Sequence, residues 1–154
     1  MTNTSGFSWQ RLIQQAQGLL CVSTNRISNA ANLSALLYQQ LAGISWVGFY
    51  FFDGKTLLLG PFQGKPACVS IPLGEGVCGT AAATGKAIRV ADVETFDGHI
   101  ACDADARSEL VVPLFKQDEL LGVLDVDSTR HDRFSHEDEK GLVALANIYL
   151  SSVL

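Results

Sequence analysis

Two apolar stretches, residues 110–115 and 120–127, are separated only by Lys116-Gln117-Asp118-Glu119. So short a connector leaves the second stretch no route except back alongside the first, so the two form an antiparallel pair. Asp53-Gly54 carries the same signal upstream, between an aromatic-rich strand over residues 44–53 and a return strand over 56–60. A sheet assembled from hairpins needs helices on at least one face, and the chain carries them near its ends. Trp9, Leu12, Ile13, Ala16, Leu19 and Leu20 recur at helical spacing behind Ser8, a capping residue type. Leu33, Leu36, Leu37 and Leu41 mark a second helix. Ser135 and Asp138 form a capping pair ahead of a last helix, with Leu142, Leu145, Ala146 and Tyr149 on one side. Between them lie an extended piece over 68–73, a small-residue helix over 76–84 ending at Gly85, and a short strand over 87–90. The expected fold is α+β: a central, mostly antiparallel sheet with the N- and C-terminal helices packed on one face.

A chain of 154 residues fits one domain, assigned to residues 8–153 behind a tail over 1–7, with room for a core that needs no staples. Eleven basic against sixteen acidic residues give a net charge of −5, and no basic patch is visible. That argues against nucleic acid or an anionic membrane as a partner. The first eight residues lack the basic stretch and apolar run of a secretory signal. No apolar run reaches the roughly 18 residues of a membrane span. The expected location is the cytoplasm, where a disulfide is more often catalytic or redox-sensing than structural. The four cysteines are Cys21, Cys68, Cys78 and Cys102, with no C-x-x-C pair to suggest a zinc ribbon or a thioredoxin-like motif. No metal and no cofactor are expected.

Three groupings carry chemistry. Residues 92–108 form an irregular stretch longer than ordinary loops, and long loops are functional or disordered. Cys102 lies in it among polar neighbours, which reads as an accessible reactive thiol or as a tolerated surface one. Cys68 stands near a segment end beside Pro66 and Ala67, while Cys78 and Cys21 read as core. Along residues 122–127, alternation puts Asp125 and Asp127 on one face and Leu124 and Val126 on the other. Paired carboxylates can bind a cation or share a proton, or simply mark a strand running into a turn; Glu109, on the paired strand, adds a third. Trp46, Gly48 and Tyr50 share a face, which reads as a slot with aromatic walls or as ordinary packing with Gly48 accommodating a helix. Gly74-Glu75-Gly76-Val77-Cys78-Gly79 lacks the Lys-Ser/Thr of a phosphate loop. His131, His136, Arg89 and Arg107 read as solvated side chains.

Five segments together resemble a known family: Trp46-Val47-Gly48-Phe49-Tyr50, the 74–79 glycine segment, His99-Ile100-Ala101-Cys102-Asp103, Ser108-Glu109-Leu110-Val111-Val112-Pro113, and Leu124-Asp125-Val126-Asp127-Ser128. Over roughly residues 8–153 the chain resembles GAF domains and, among them, the free methionine-R-sulfoxide reductases. The strand motifs are common to many GAF domains; the three cysteines combined with Asp125 and Asp127 are specific. The resemblance implies that Cys102 attacks the sulfoxide sulfur, that Cys68 resolves the sulfenic acid as a disulfide, and that Cys78 assists or substitutes. It implies that Glu109, Asp125 and Asp127 receive the substrate ammonium and polarise or protonate the sulfoxide oxygen, with Trp46 and Tyr50 around the methyl end. Thioredoxin is the implied reductant, and a homodimer is carried because GAF domains often dimerise. The alternative is a GAF sensor or dimerisation module without catalysis. A sensor ordinarily has an output domain, and a chain ending at Leu154 is expected to lack one.

Overall fold

The computed structural model describes residues 6–153; the tail expected over residues 1–7 lies outside the described residues except for Gly6 and Phe7. Four helices and six strands follow one another as α1 (Trp9–Leu20), α2 (Arg26–Gln40), β1 (Trp46–Phe52), β2 (Thr56–Gln63), β3 (Ser70–Pro72), α3 (Gly76–Thr84), β4 (Ile88–Val90), β5 (Ser108–Lys116), β6 (Glu119–Ser128) and α4 (His136–Ser152). The strands form one sheet in the order β3-β2-β1-β6-β5-β4, with every neighbouring pair antiparallel.

The expected hairpins form, the β5–β6 one with a tighter turn. Gln117 and Asp118 both have positive φ, so β5 and β6 are joined by a two-residue turn whose twist suits the flanking strands. Asp53 Oδ1 accepts from the N–H groups of Lys55 and Thr56, which folds the β1–β2 connection back on itself. Strand β2 runs past the expected return segment to Gln63, through Pro61. Proline is tolerated there because β3 pairs with Thr56 to Leu58 and Val69 with Leu59, leaving β2 from Gly60 onward as an edge on that side.

Helices α1, α2 and α4 cover one face. Leu12, Ala16 and Leu20 of α1, Leu33 and Leu37 of α2, and Leu142, Leu145 and Tyr149 of α4 pack on Val47, Phe49, Leu110, Val112, Leu124 and Val126 of the sheet. Each fully buried leucine contributes about 1.5–3 kcal/mol. The start of α4 fixes how α1 docks. Ser135 and Asp138 form a complete capping box, and Asp138 also accepts from Trp9 Nε1 at 3.0 Å and Arg133 at 3.1 Å. Opposite the Trp9 ring stands Gly141, where a β-carbon would overlap the indole.

Helix α3 covers the other face. Trp46, Tyr50, Val111 and Val123 point towards α3, whose small residues Cys78, Ala81 and Ala82 let it lie close to the sheet. Helix α3 starts and stops at glycines in the left-handed region, Gly76 (φ 64) and Gly85 (φ 70). Gly79 is required as well, since a β-carbon there would overlap the Pro72 carbonyl.

Candidate active site

Glu109 of β5 faces Asp127 of β6 directly, and Val111 faces Asp125. Alternation therefore places Glu109, Asp125 and Asp127 together on the α3 side of the sheet. Glu109 is 8% exposed and Asp125 5%, and Asp125 Oδ1 has no hydrogen-bond partner. Burial raises all three carboxyls well above the usual range, and mutual repulsion adds to it: Asp125 on Glu109, Asp127 on Asp125, Glu109 on Asp127. Buried like charges at this spacing cannot all ionise, so the cluster retains protons and can donate them.

From α3, the Cys78 thiol reaches to 3.8 Å from Glu109 Oε2, buried and likewise held protonated, first by burial and then by Asp125. Cys78, Glu109 and Asp125 present ligand atoms within 4.8 Å of one another, a spacing that a small cation can bridge.

The irregular stretch before β5 is ordered by its own bonds. Asp92 caps a single 3₁₀ turn, Val93–Thr95, and the Cys102 N–H donates to Ile100 O at 3.0 Å. Gly98 O accepts from the Gly76 N–H at the start of α3, so the stretch is pinned to the helix that carries Cys78. Cys102 is half-buried and is bonded to Cys68, with Cα atoms 5.3 Å apart and a sequence separation of 34. Cys21, expected in the core, is exposed. It follows Leu20 at the end of α1, one residue past the Leu12–Ala16–Leu20 stripe and so about 100° off the buried face.

Trp46 and Tyr50 flank Gly48 as alternation requires, but no open slot separates them. The Trp46 ring leans over Gly48, with Cη2 2.8 Å from where a β-carbon would stand, and stacks on Tyr50 at 5.9 Å and on Phe62 at 5.3 Å. Gly48 thus accommodates a neighbouring strand's phenylalanine rather than a helix. Their polar ends are used: Trp46 Nε1 donates to Lys65 O at 3.1 Å and Tyr50 Oη to Cys68 O at 3.0 Å. One cavity of about 40 Å³ is lined by Trp46, Tyr50, Cys78, Cys102, Glu109, Asp125 and Asp127.

The pattern that defines the GAF domain family matches residues 18–149. The chain is 55% identical over 124 residues to a free methionine-R-sulfoxide reductase of Escherichia coli, covering 80% of this chain and 75% of that one. It is 43% identical over 147 residues to the enzyme of the same name from Saccharomyces cerevisiae, covering 90% of this chain and 82% of that one. The solved structure of the Neisseria meningitidis free methionine-R-sulfoxide reductase with its substrate superposes with a TM-score of 0.91 at 40% identity, covering 94% of this chain and 87% of that one. The chain belongs to the GAF-domain free methionine-R-sulfoxide reductases.

In this GAF domain, every residue that the sequence marked as a candidate site residue either lines the cavity or, for Cys68, is bonded to one that does. Apolar wall residues were not singled out: Ile71, Val77 and Ile100 also line it. The glycine segment before α3 held the available signal, since a β-carbon at Gly76 would stand 3.3 Å from Ile100 Cγ1, and its absence lets the Cys102 loop lie against the helix. Arg89 donates to Phe134 O, and Arg107 to Ala104 O and Ala106 O. His131 and His136 lie on the surface beside Asp92 and Glu139. Among the described residues, no helix is long and apolar enough to cross a membrane.

Proposed function

We propose that this chain, working as one unit over residues 8–153, reduces free methionine-R-sulfoxide to methionine with Cys102 as nucleophile and Cys68 as resolving thiol. One observation carries the reading: Cys102, bonded to Cys68, shares a cavity with two aromatic rings and three proton-retaining carboxyls. The Cys102 sulfur attacks the sulfoxide sulfur while Asp127 gives a proton to the sulfoxide oxygen. The protonated oxygen passes as hydroxyl from the substrate sulfur to the Cys102 sulfur as the transient sulfur–sulfur bond breaks; methionine leaves and Cys102 is left as a sulfenic acid. Cys68 then displaces water from that acid and the disulfide forms. Thioredoxin reduces the bond by exchange and restores both thiols. Cys78, buried beside Glu109, assists or substitutes for the resolving thiol.

Glu109 and Asp125 receive the substrate ammonium, and Trp46 and Tyr50 stand around the methyl group. The first turn of α3 lies along the same cavity; Gly76 N–H is spent on Gly98 O, and the N–H groups of Val77 and Cys78 suit the substrate carboxylate. The N–H groups of Cys102 and Ala106 are already spent within their own loop. With the disulfide closed, a cavity of about 40 Å³ has room for only a few waters, which is consistent with methionine leaving before closure. We place the reaction in the cytoplasm, with a homodimer as the form of assembly.

Incubation with racemic free methionine sulfoxide and dithiothreitol, reading methionine, tests the function. Conversion should stop near one half, and an internal methionine-sulfoxide peptide should be left unreduced because it lacks the ammonium. Comparable rates on that peptide would sink the proposal.

A further inference from the structure

The segment that carries Cys68 is tied down at three carbonyls between residues 65 and 69. Lys65 O accepts from Trp46 Nε1, Cys68 O from Tyr50 Oη, and Val69 O from the Leu59 N–H at 2.9 Å. Two of those donors are side-chain tips of the aromatic pair that lines the cavity. The opposing Cys102 loop meets this segment through the disulfide and through Lys65 Nζ to Asp105 Oδ2 at 2.9 Å, an exposed pair of small energetic weight. Once the disulfide opens, the polar ends of Trp46 and Tyr50 still hold Cys68 to the rigid centre of the sheet.

We propose that the Tyr50 hydroxyl and the Trp46 indole N–H are positioning groups for the resolving step, fixing Cys68 where a sulfenic acid on Cys102 meets it. The step they serve converts Cys102 sulfenic acid and the Cys68 thiol into the disulfide and one water. Holding the two sulfurs close raises the effective concentration of one thiol at the other. Tyr50 is buried, and burial with the nearby Asp125 pushes its phenol far above the ordinary value, so the hydroxyl keeps the proton it donates. The inference rests on the proposed roles of Cys68 and Cys102.

Tyr50→Phe keeps the ring and removes only the donor. The reduced and disulfide forms are equilibrated against a glutathione redox series with no sulfoxide present, and the Cys68–Cys102 effective concentration is read by thiol alkylation. Loss of one net hydrogen bond should lower it about fivefold. In single turnover with sulfoxide, disulfide closure should slow relative to methionine release by a similar factor, and the sulfenic acid should become trappable by dimedone. A role confined to the substrate wall moves neither the sulfoxide-free equilibrium nor that ratio. An unchanged equilibrium and an unchanged ratio overturn the proposal. If Tyr50→Phe does not fold, Trp46→Phe removes the other donor and is held to the same criterion. Absence of methionine release from the wild-type enzyme would instead defeat the function reading, which the sulfoxide-free equilibrium does not probe.

Discussion

Glu109 and Asp127 stand directly opposite each other across β5 and β6, two acids in register with no lysine or arginine among the residues that line their cavity. Such a pair survives burial by keeping protons, which is what reduction of a sulfoxide needs. Asp127→Asn should lower kcat by about 10²-fold or more, the usual scale of general acid catalysis. Asp125→Asn should lower kcat and raise KM, and Glu109→Gln should act mainly on KM. Steady-state kinetics with melting controls checks all three. Wild-type constants throughout, with unchanged melting, would reduce the cluster to decoration.

The same protons set a pH dependence of stability. A carboxyl with a pKa higher in the folded than the unfolded state keeps its proton where the unfolded chain has lost it. Its stabilising effect is then full below the unfolded value of about 4 and declines as pH rises towards the folded value. Asp125 is such a group, raised chiefly by burial and then by Asp127. Asp125→Asn has no proton to lose there, so its melting temperature should fall less than the wild type's between pH 4 and pH 8. Parallel curves for the two proteins would show that Asp125 is not raised.

Cys68→Ser should release about one methionine per enzyme in a single turnover and then stall with thioredoxin, its sulfenic acid having lost its usual partner. Cys102→Ser should release none. Normal thioredoxin turnover by Cys68→Ser would transfer the resolving role to Cys78, which lies buried under Glu109.

Gly141→Ala inserts a β-carbon into the Trp9 indole where α1 meets α4. Overpacking of this kind costs about 1–3 kcal/mol. At about 2–4 °C per kcal/mol for a chain of this size, differential scanning calorimetry should register a clear drop. The catalytic face lies on the opposite side of the sheet, so kcat below the melting transition should hold.

Local rules wrote much of this into the sequence. The helix Gly76–Thr84 was readable to the residue because glycines punctuate both ends, and the Ser135–Asp138 box announced the start of α4. The shared face of Asp125 and Asp127 followed from strand alternation alone. What escaped depended on distant partners. Gly48 makes room for Phe62 from the neighbouring strand, and the Tyr50 hydroxyl is bound by a carbonyl 18 residues away, neither of which leaves a local trace. Cys21 was misplaced because a helix's apolar composition was extended past its last buried turn.

The Cys68–Cys102 bond joins residues separated by 34 in sequence and closes a loop that contains all of α3. Chain-entropy reasoning gives such a closure about 4 kcal/mol of stabilisation, or roughly 8–16 °C in melting temperature. In the proposed cycle, each turnover therefore passes between a hardier and a softer protein, and the softer one is the form able to take substrate. When reductant runs short, the molecules that have already acted accumulate in the heat-resistant form and wait there until thiols return.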